Sequence, residues 1–224
     1  MNKSKTETIA ELNRAIRILE QTRDSLLPSL KPKNFEGRRL AICVGHSRAD
    51  DDGATAPGGV NEYAFNKPIA HAVKANLEAL GCDVLAVDRY EGNDYTSAMK
   101  WLAPVVSQFG AEAVIELHFN SAEDRSATGF ETLITGSQRG TILGNCLQGS
   151  MAELFTGEPN RGVKVVRSRS ERGGAFLYIN KPPAAILEPF FASNAGSWDA
   201  YKDRRDDLAH AYTMGLISYL EKVS

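Results

Sequence analysis

From Arg39 onward the apolar positions fall alternately into short unbroken runs and into stretches repeating every three to four residues. Leu40–Val44, Val84–Asp88, Ala113–His118, Gly129–Thr135 and Ala185–Phe190 have the length and composition of strands, and Val163–Val166 and Phe176–Ile179 are weaker examples. Glu62–Leu80 (closed by Gly81), Tyr95–Phe109, Arg139–Phe155 and Asp203–Lys222 carry helical spacing. Strands alternating with helices predict an α/β fold, a largely parallel sheet covered on both faces.

The first 36 residues follow a different pattern. Ser4 and Glu7 fit a capping box, and Ile9, Leu12, Ile16 and Leu19 place one apolar stripe on a helix that ends near Pro28. Pro32 and Gly37 mark a linker, giving an expected division into a helical segment at 1–36 and a main domain at 37–224. The stripe suits either docking on the chain's own domain or helix-mediated self-association through residues 5–27, since two heptads are marginal alone.

Composition narrows the class. The 224 residues are 42% hydrophobic and 24% charged, an ordinary globular balance. Twenty-six basic side chains stand against 28 acidic ones, so no bulk positive charge argues for nucleic acid. No apolar stretch approaches the ~20 residues of a membrane span. Cys43, Cys82 and Cys146 are odd in number and form no CxxC pair, which points to a reducing compartment. The N-terminus lacks the apolar block and cleavage site of a cleavable signal peptide.

Four histidines are few enough to take singly. His71 and His210 lie within helical stretches without a ligand pattern and read as surface or satisfied core residues. His46 and His118 each fall at the carboxyl end of a strand, where open α/β sheets place their ligands. Glu188 also ends an apolar run, a costly place for a carboxylate without a task, and Glu62 opens the helix after the His46 loop. Two histidines and a carboxylate form a usual catalytic zinc set. The separations of 16, 56 and 70 residues lack a local signature, so spacing alone leaves a metal site and scattered structural residues both open.

The segments GHSRADDDGA, VNEYAFN, ELHFNSA and ILEPFFASN occur in the order found in zinc-dependent N-acetylmuramoyl-L-alanine amidases. The chain resembles the amidase_3 family of cell-wall hydrolases and phage endolysins over about residues 39–222. The resemblance implies an α/β sandwich with a mixed, mostly parallel sheet. It implies a Zn2+ cofactor bound by His46, Glu62 and His118, with Glu188 as the catalytic carboxylate. The implied reaction is hydrolysis of the amide between N-acetylmuramic acid and L-alanine in peptidoglycan, with Glu188 accepting the water proton and returning it to the leaving amine. Two departures stand out. Ser47 and Arg48 follow His46 where the family often has glycines, although Asp52-Gly53-Ala54 keeps the look of its Asp-x-Gly-Ala element. Glu116 replaces a small polar residue, and alternation sets it on the face of His118 and Asn120. It is either a carboxylate orienting an imidazole or an exposed strand residue.

The stretch 160–174 carries Arg161, Lys164, Arg167, Arg169 and Arg172 against the single Glu171. Guanidinium groups suit the free carboxylates of peptidoglycan stem peptides, and Arg161 and Lys164, in NRGVK, resemble a family segment that makes them the favoured pair. The 70 residues between His118 and Glu188 show no added helix of the kind autoinhibited members insert, which implies an open site. Two other classes stay in competition: a zinc exopeptidase or deacylase acting on small N-acyl amino acids, and a non-catalytic wall-binding protein. With no cleavable signal, the expected setting is synthesis in the cytoplasm, with release to the wall as in a phage lysin.

Overall fold

The computed structural model describes residues 35–179 and 181–224. The helix and self-association read from the first residues lie outside this range. Six strands form one sheet: β1 (Arg39–Val44), β2 (Asp83–Val87), β3 (Ala113–Leu117), β4 (Phe130–Ile134), β5 (Asn160–Val165) and β6 (Ala184–Glu188). Their spatial order is β2-β1-β3-β6-β4-β5. Every neighbouring pair is parallel except β4 with β6, so the sheet is mixed and mostly parallel.

Among the described residues six helices accompany it: α1 (Glu62–Glu78), α2 (Tyr95–Phe109), α3 (Gln138–Leu154), α4 (Gly174–Ile179), α5 (Ala195–Tyr201) and α6 (Arg205–Lys222). Central strands buried on both faces explain the unbroken apolar runs in the sequence. Leu40, Ile42 and Val44 of β1 turn towards Phe65 and Ile69 of α1, Leu147 of α3 and Tyr212 of α6. Ala41 and Cys43 turn the other way, towards Met99 and Leu102 of α2 and Phe176 of α4. Four helix starts, those of α1, α2, α3 and α5, are fixed by side chains that accept from otherwise unpaired amides: Asn61 from Ala64, Asp94 from Ser97, Ser137 from Gly140 and Asn194 from Ser197. All three cysteines are buried free thiols.

Two local expectations are corrected. Phe176–Ile179 belongs to a helix, α4, instead of a strand. Four apolar residues are too few to separate a period of 2 from 3.6, and β6 already has β3 and β4 on its two sides, leaving no adjacent place in the sheet. The second correction is α5, a short helix ahead of the long closing one, whose Trp198 and Tyr201 join Phe65, Phe119 and Phe190 in an aromatic cluster.

Direction of travel decides what meets at the site. β1, β3 and β6 run the same way, so their carboxyl ends deliver His46, His118 and Glu188 to one sheet edge. β4 runs against β6, so its first residues arrive at that edge too, and Glu131 pairs with Glu188 in register.

Candidate active site

One cleft of about 790 Å³ is lined by His46, Glu62, Glu116, His118, Arg172 and Glu188, among others. The sequence thus leads to four side chains, from three strand ends and one helix start, that do converge. His118 Nδ1 lies 2.8 Å from Glu62 Oε1, and His46 Nε2 lies 3.6 Å from Glu62 Oε2. Their ligand atoms all fall within 4.8 Å of one another. The two imidazoles meet edge to face, with ring centroids 5.1 Å apart.

The nitrogen of each imidazole that faces away from Glu62 meets another carboxylate. His46 Nδ1 lies 2.9 Å from Asp51 Oδ1, and His118 Nε2 lies 3.0 Å from Glu116 Oε2. Glu116 is buried, not an exposed strand residue, and its Oε1 accepts from the Tyr90 hydroxyl at 2.6 Å. Arg48, one of the departures from family pattern, lies 3.4 Å from Asp51 on that carboxylate's other oxygen.

Local backbone makes room for these rings. A Cβ on Gly45 would meet the His118 ring at 2.2 Å, and one on Gly53 (φ +72°) would meet Glu62 and His46 at 2.8 Å. His46 itself sits at φ +54°, a left-handed conformation uncommon outside glycine and frequent where function holds a residue in place. Glu62 is held by its position as the first residue of α1 and by the amides of Ala54 and Phe119, which donate to it at 3.2 and 3.1 Å.

Charge is distributed unevenly among these groups. Burial alone raises the Glu62 pKa, but the imidazoles of His118 and His46 outweigh it and hold the carboxyl below its usual range. Burial disfavours His118 in its charged form, yet Glu116 and Glu62 reverse this and hold its pKa well above the usual value. Glu188 differs. Burial pushes its carboxyl up to about 7 against the pull of His118 and Arg172. Arg172 donates to Glu188 Oε1, while buried Oε2 has no hydrogen-bond partner among the described residues.

Arg161 and Lys164 are not among the residues lining the cleft. Arg161 lies at the start of edge strand β5, where its Nε donates to Glu131 at 2.7 Å and its guanidinium rests over the Phe191 ring. Among the described basic residues of 160–174, Arg169 and Arg172 line the cleft instead. Composition marked the whole stretch as basic but could not say which members faced inward. His71 contacts Asp88 at 2.9 Å on the surface, and His210 is exposed.

A mostly parallel α/β sheet whose ends bring two imidazoles, a carboxylate and a buried glutamate to one cleft defines an enzyme with a candidate metal-dependent hydrolytic centre. The family model for Amidase_3, N-acetylmuramoyl-L-alanine amidase, matches residues 40–218, and the chain belongs to this family of peptidoglycan amidases. No curated protein matches it. The fold is similar to N-acetylmuramoyl-L-alanine amidase AmiC2 of Nostoc punctiforme (TM-score 0.70, 21% identity, 83% of this chain and 99% of that one). It is also similar to the CwlD amidase from Clostridioides difficile, solved in complex with the GerS lipoprotein (0.72, 20%, 83% and 99%). The catalytic domain of the CD27L endolysin targeting Clostridia difficile matches at 26% identity (0.66, 80% and 97%). No helix among the described residues is long and apolar enough to cross a membrane.

Proposed function

We propose that the chain is a zinc-dependent amidase that cleaves the bond between the lactyl group of muramic acid and L-alanine, releasing stem peptides from glycan strands. The observation that carries the zinc reading is the convergence of His46, Glu62 and His118, with ligand atoms within 4.8 Å, next to a buried glutamate. The donor set fits: two imidazoles and a carboxylate leave room for water and substrate, as a catalytic zinc site requires. Asp51 and Glu116, each behind an imidazole, fit the outer carboxylates that fix ring orientation around a metal. When bound, zinc supplies Lewis acidity towards the amide carbonyl and a lowered pKa for water.

The chain's own residues do the rest. Glu188 accepts the proton of the attacking water at its unpartnered Oε2 and returns it to the departing alanine amine, which cannot leave as an anion. Burial raises the Glu188 carboxyl above its ordinary range, which favours the protonated form that the second half of that shuttle needs. Asp51, 2.9 Å behind His46, and Glu116, 3.0 Å behind His118, flank the two rings on the side away from Glu62. The main domain is assigned to residues 37–224, with synthesis in the cytoplasm and action at the wall.

The test uses purified full chain incubated with peptidoglycan sacculi, with and without chelator, and mass spectrometry of the soluble products. Intact stem peptides bearing a free L-alanine amine, lost with chelator and regained with zinc, are expected. Their absence from zinc-replete protein overturns the reading.

A further inference from the structure

The Arg172 side chain is 59% exposed, yet its guanidinium reaches into the cleft and ends on Glu188, whose side chain is 3% exposed. The contact is one-sided: one guanidinium nitrogen meets one carboxylate oxygen. A planar fork of five N–H donors matches a carboxylate best when two bonds form in parallel, so the observed pair leaves most of that capacity unused. The other arginine lining the cleft, Arg169, is engaged elsewhere, donating to the Tyr178 carbonyl at 3.3 Å.

The loop that presents Arg172 is built to hold its course. Glu171 accepts from the Arg167 amide at 3.2 Å and from the Ser168 hydroxyl at 3.3 Å. Gly173 has φ +74°, and a Cβ there would strike Ile186 at 2.5 Å; one on Gly174 would strike the Ser168 carbonyl at 2.1 Å. A tightly packed backbone with a long, mostly solvated side chain can swing its charged end without moving the loop.

We propose that Arg172 recognises a free carboxylate on the stem peptide, and that Glu188 holds the guanidinium in place until that carboxylate arrives. This rests on the amidase reading of the cleft and names the form of substrate it selects. An arriving carboxylate offers the bidentate partner that buried Glu188 does not, and its departure frees Glu188 Oε1 beside the already unpartnered Oε2. The preferred substrate is therefore an acidic stem peptide. Its counterpart with that carboxylate converted to a primary amide offers the fork one acceptor and a clashing pair of donors.

The released stem peptide, which the enzyme cannot cleave further at this bond, separates recognition from turnover. Its free-acid form and a form with its carboxyls converted to primary amides are titrated calorimetrically into zinc-loaded full chain, wild type and variants. Wild type should bind the free acid about tenfold more tightly, the discrimination expected of a charge-assisted pair worth about 1.4 kcal/mol. Arg172→Ala should bring the two forms within about twofold of each other. Arg172→Lys, which keeps the charge and loses the fork, should fall between. A preference that survives in Arg172→Ala, or a wild type indifferent to the two forms, overturns the proposal. Sacculus digestion reports separately: a protein that discriminates the peptides but releases none would sink the amidase reading and leave the recognition role standing.

Discussion

A buried carboxylate beside a second one is costly, and Glu188 lies in register with Glu131 across the β4–β6 pair. Glu131 is answered by Arg161 and by the Asn120 amide, whereas one oxygen of Glu188 is answered by nothing described. A side chain kept in so unfavourable a state implies use, and two variants separate use from scaffolding. Glu188→Gln keeps shape and should lower turnover by about 10²–10⁴-fold while the zinc content of the purified protein stays unchanged. Glu116→Gln still accepts from Tyr90 but removes the charge behind His118, and should weaken zinc about 10–100-fold in a chelator competition. Zinc lost from the first variant, or held at full strength by the second, would reverse these assignments. The histidines and Glu188 were legible in the sequence because strand ends in an α/β sheet advertise themselves. Asp51 and Arg172 were not, since three adjacent aspartates and five basic residues look alike until a turn decides which one points inward.

Among the elements, α1 does more than cover the sheet, because its first residue is Glu62. Asn61 caps that helix by accepting from the Ala64 amide at 2.7 Å, so one cap fixes both a helix end and a candidate ligand. Asn61→Ala should cost about 1 kcal/mol of stability in a denaturant melt and also weaken zinc binding. Ser137→Ala, at the equivalent position of α3 and outside the cleft, should cost a similar amount and leave zinc binding alone. Equal zinc affinity in the two variants would mean that the cap does not steer Glu62. The long periodic elements were readable in advance for the physical reason that each buries a full face. The apolar spacing gives α2 the bounds it has and β1 to within one residue. The short elements α4 and α5 were misread or missed, because six or seven residues make too few turns to show a period and owe their form to the space left by their neighbours.

Across the whole molecule, the site occupies one end of the sheet and a separate ionic tie secures the other. Arg38, just ahead of β1, donates through Nε to Glu112 at 2.7 Å, just ahead of β3, and through Nη1 to Ser224 Oγ at 2.8 Å beyond α6. The Arg39 amide also donates to Glu112, at 3.2 Å. The hydrogen bond from Arg38 holds the Glu112 carboxyl below its usual range, with burial opposing. A depressed folded pKa means that the unfolded chain takes up the proton first as pH falls. The tie therefore contributes in full above the unfolded value of about 4.3 and disappears as pH drops through the folded one. With the Glu112 side chain 33% exposed, solvent screening limits the contribution to about 0.5–1 kcal/mol. Glu112→Gln should thus be less stable than wild type by that amount at pH 7, with the deficit shrinking as pH falls from 5 towards 3. Urea melts of metal-free protein at pH 7 and pH 3 read this directly, because protonation of the metal ligands then affects both proteins alike. A deficit of the same size at pH 3 would show that Glu112 acts through packing and not through its charge.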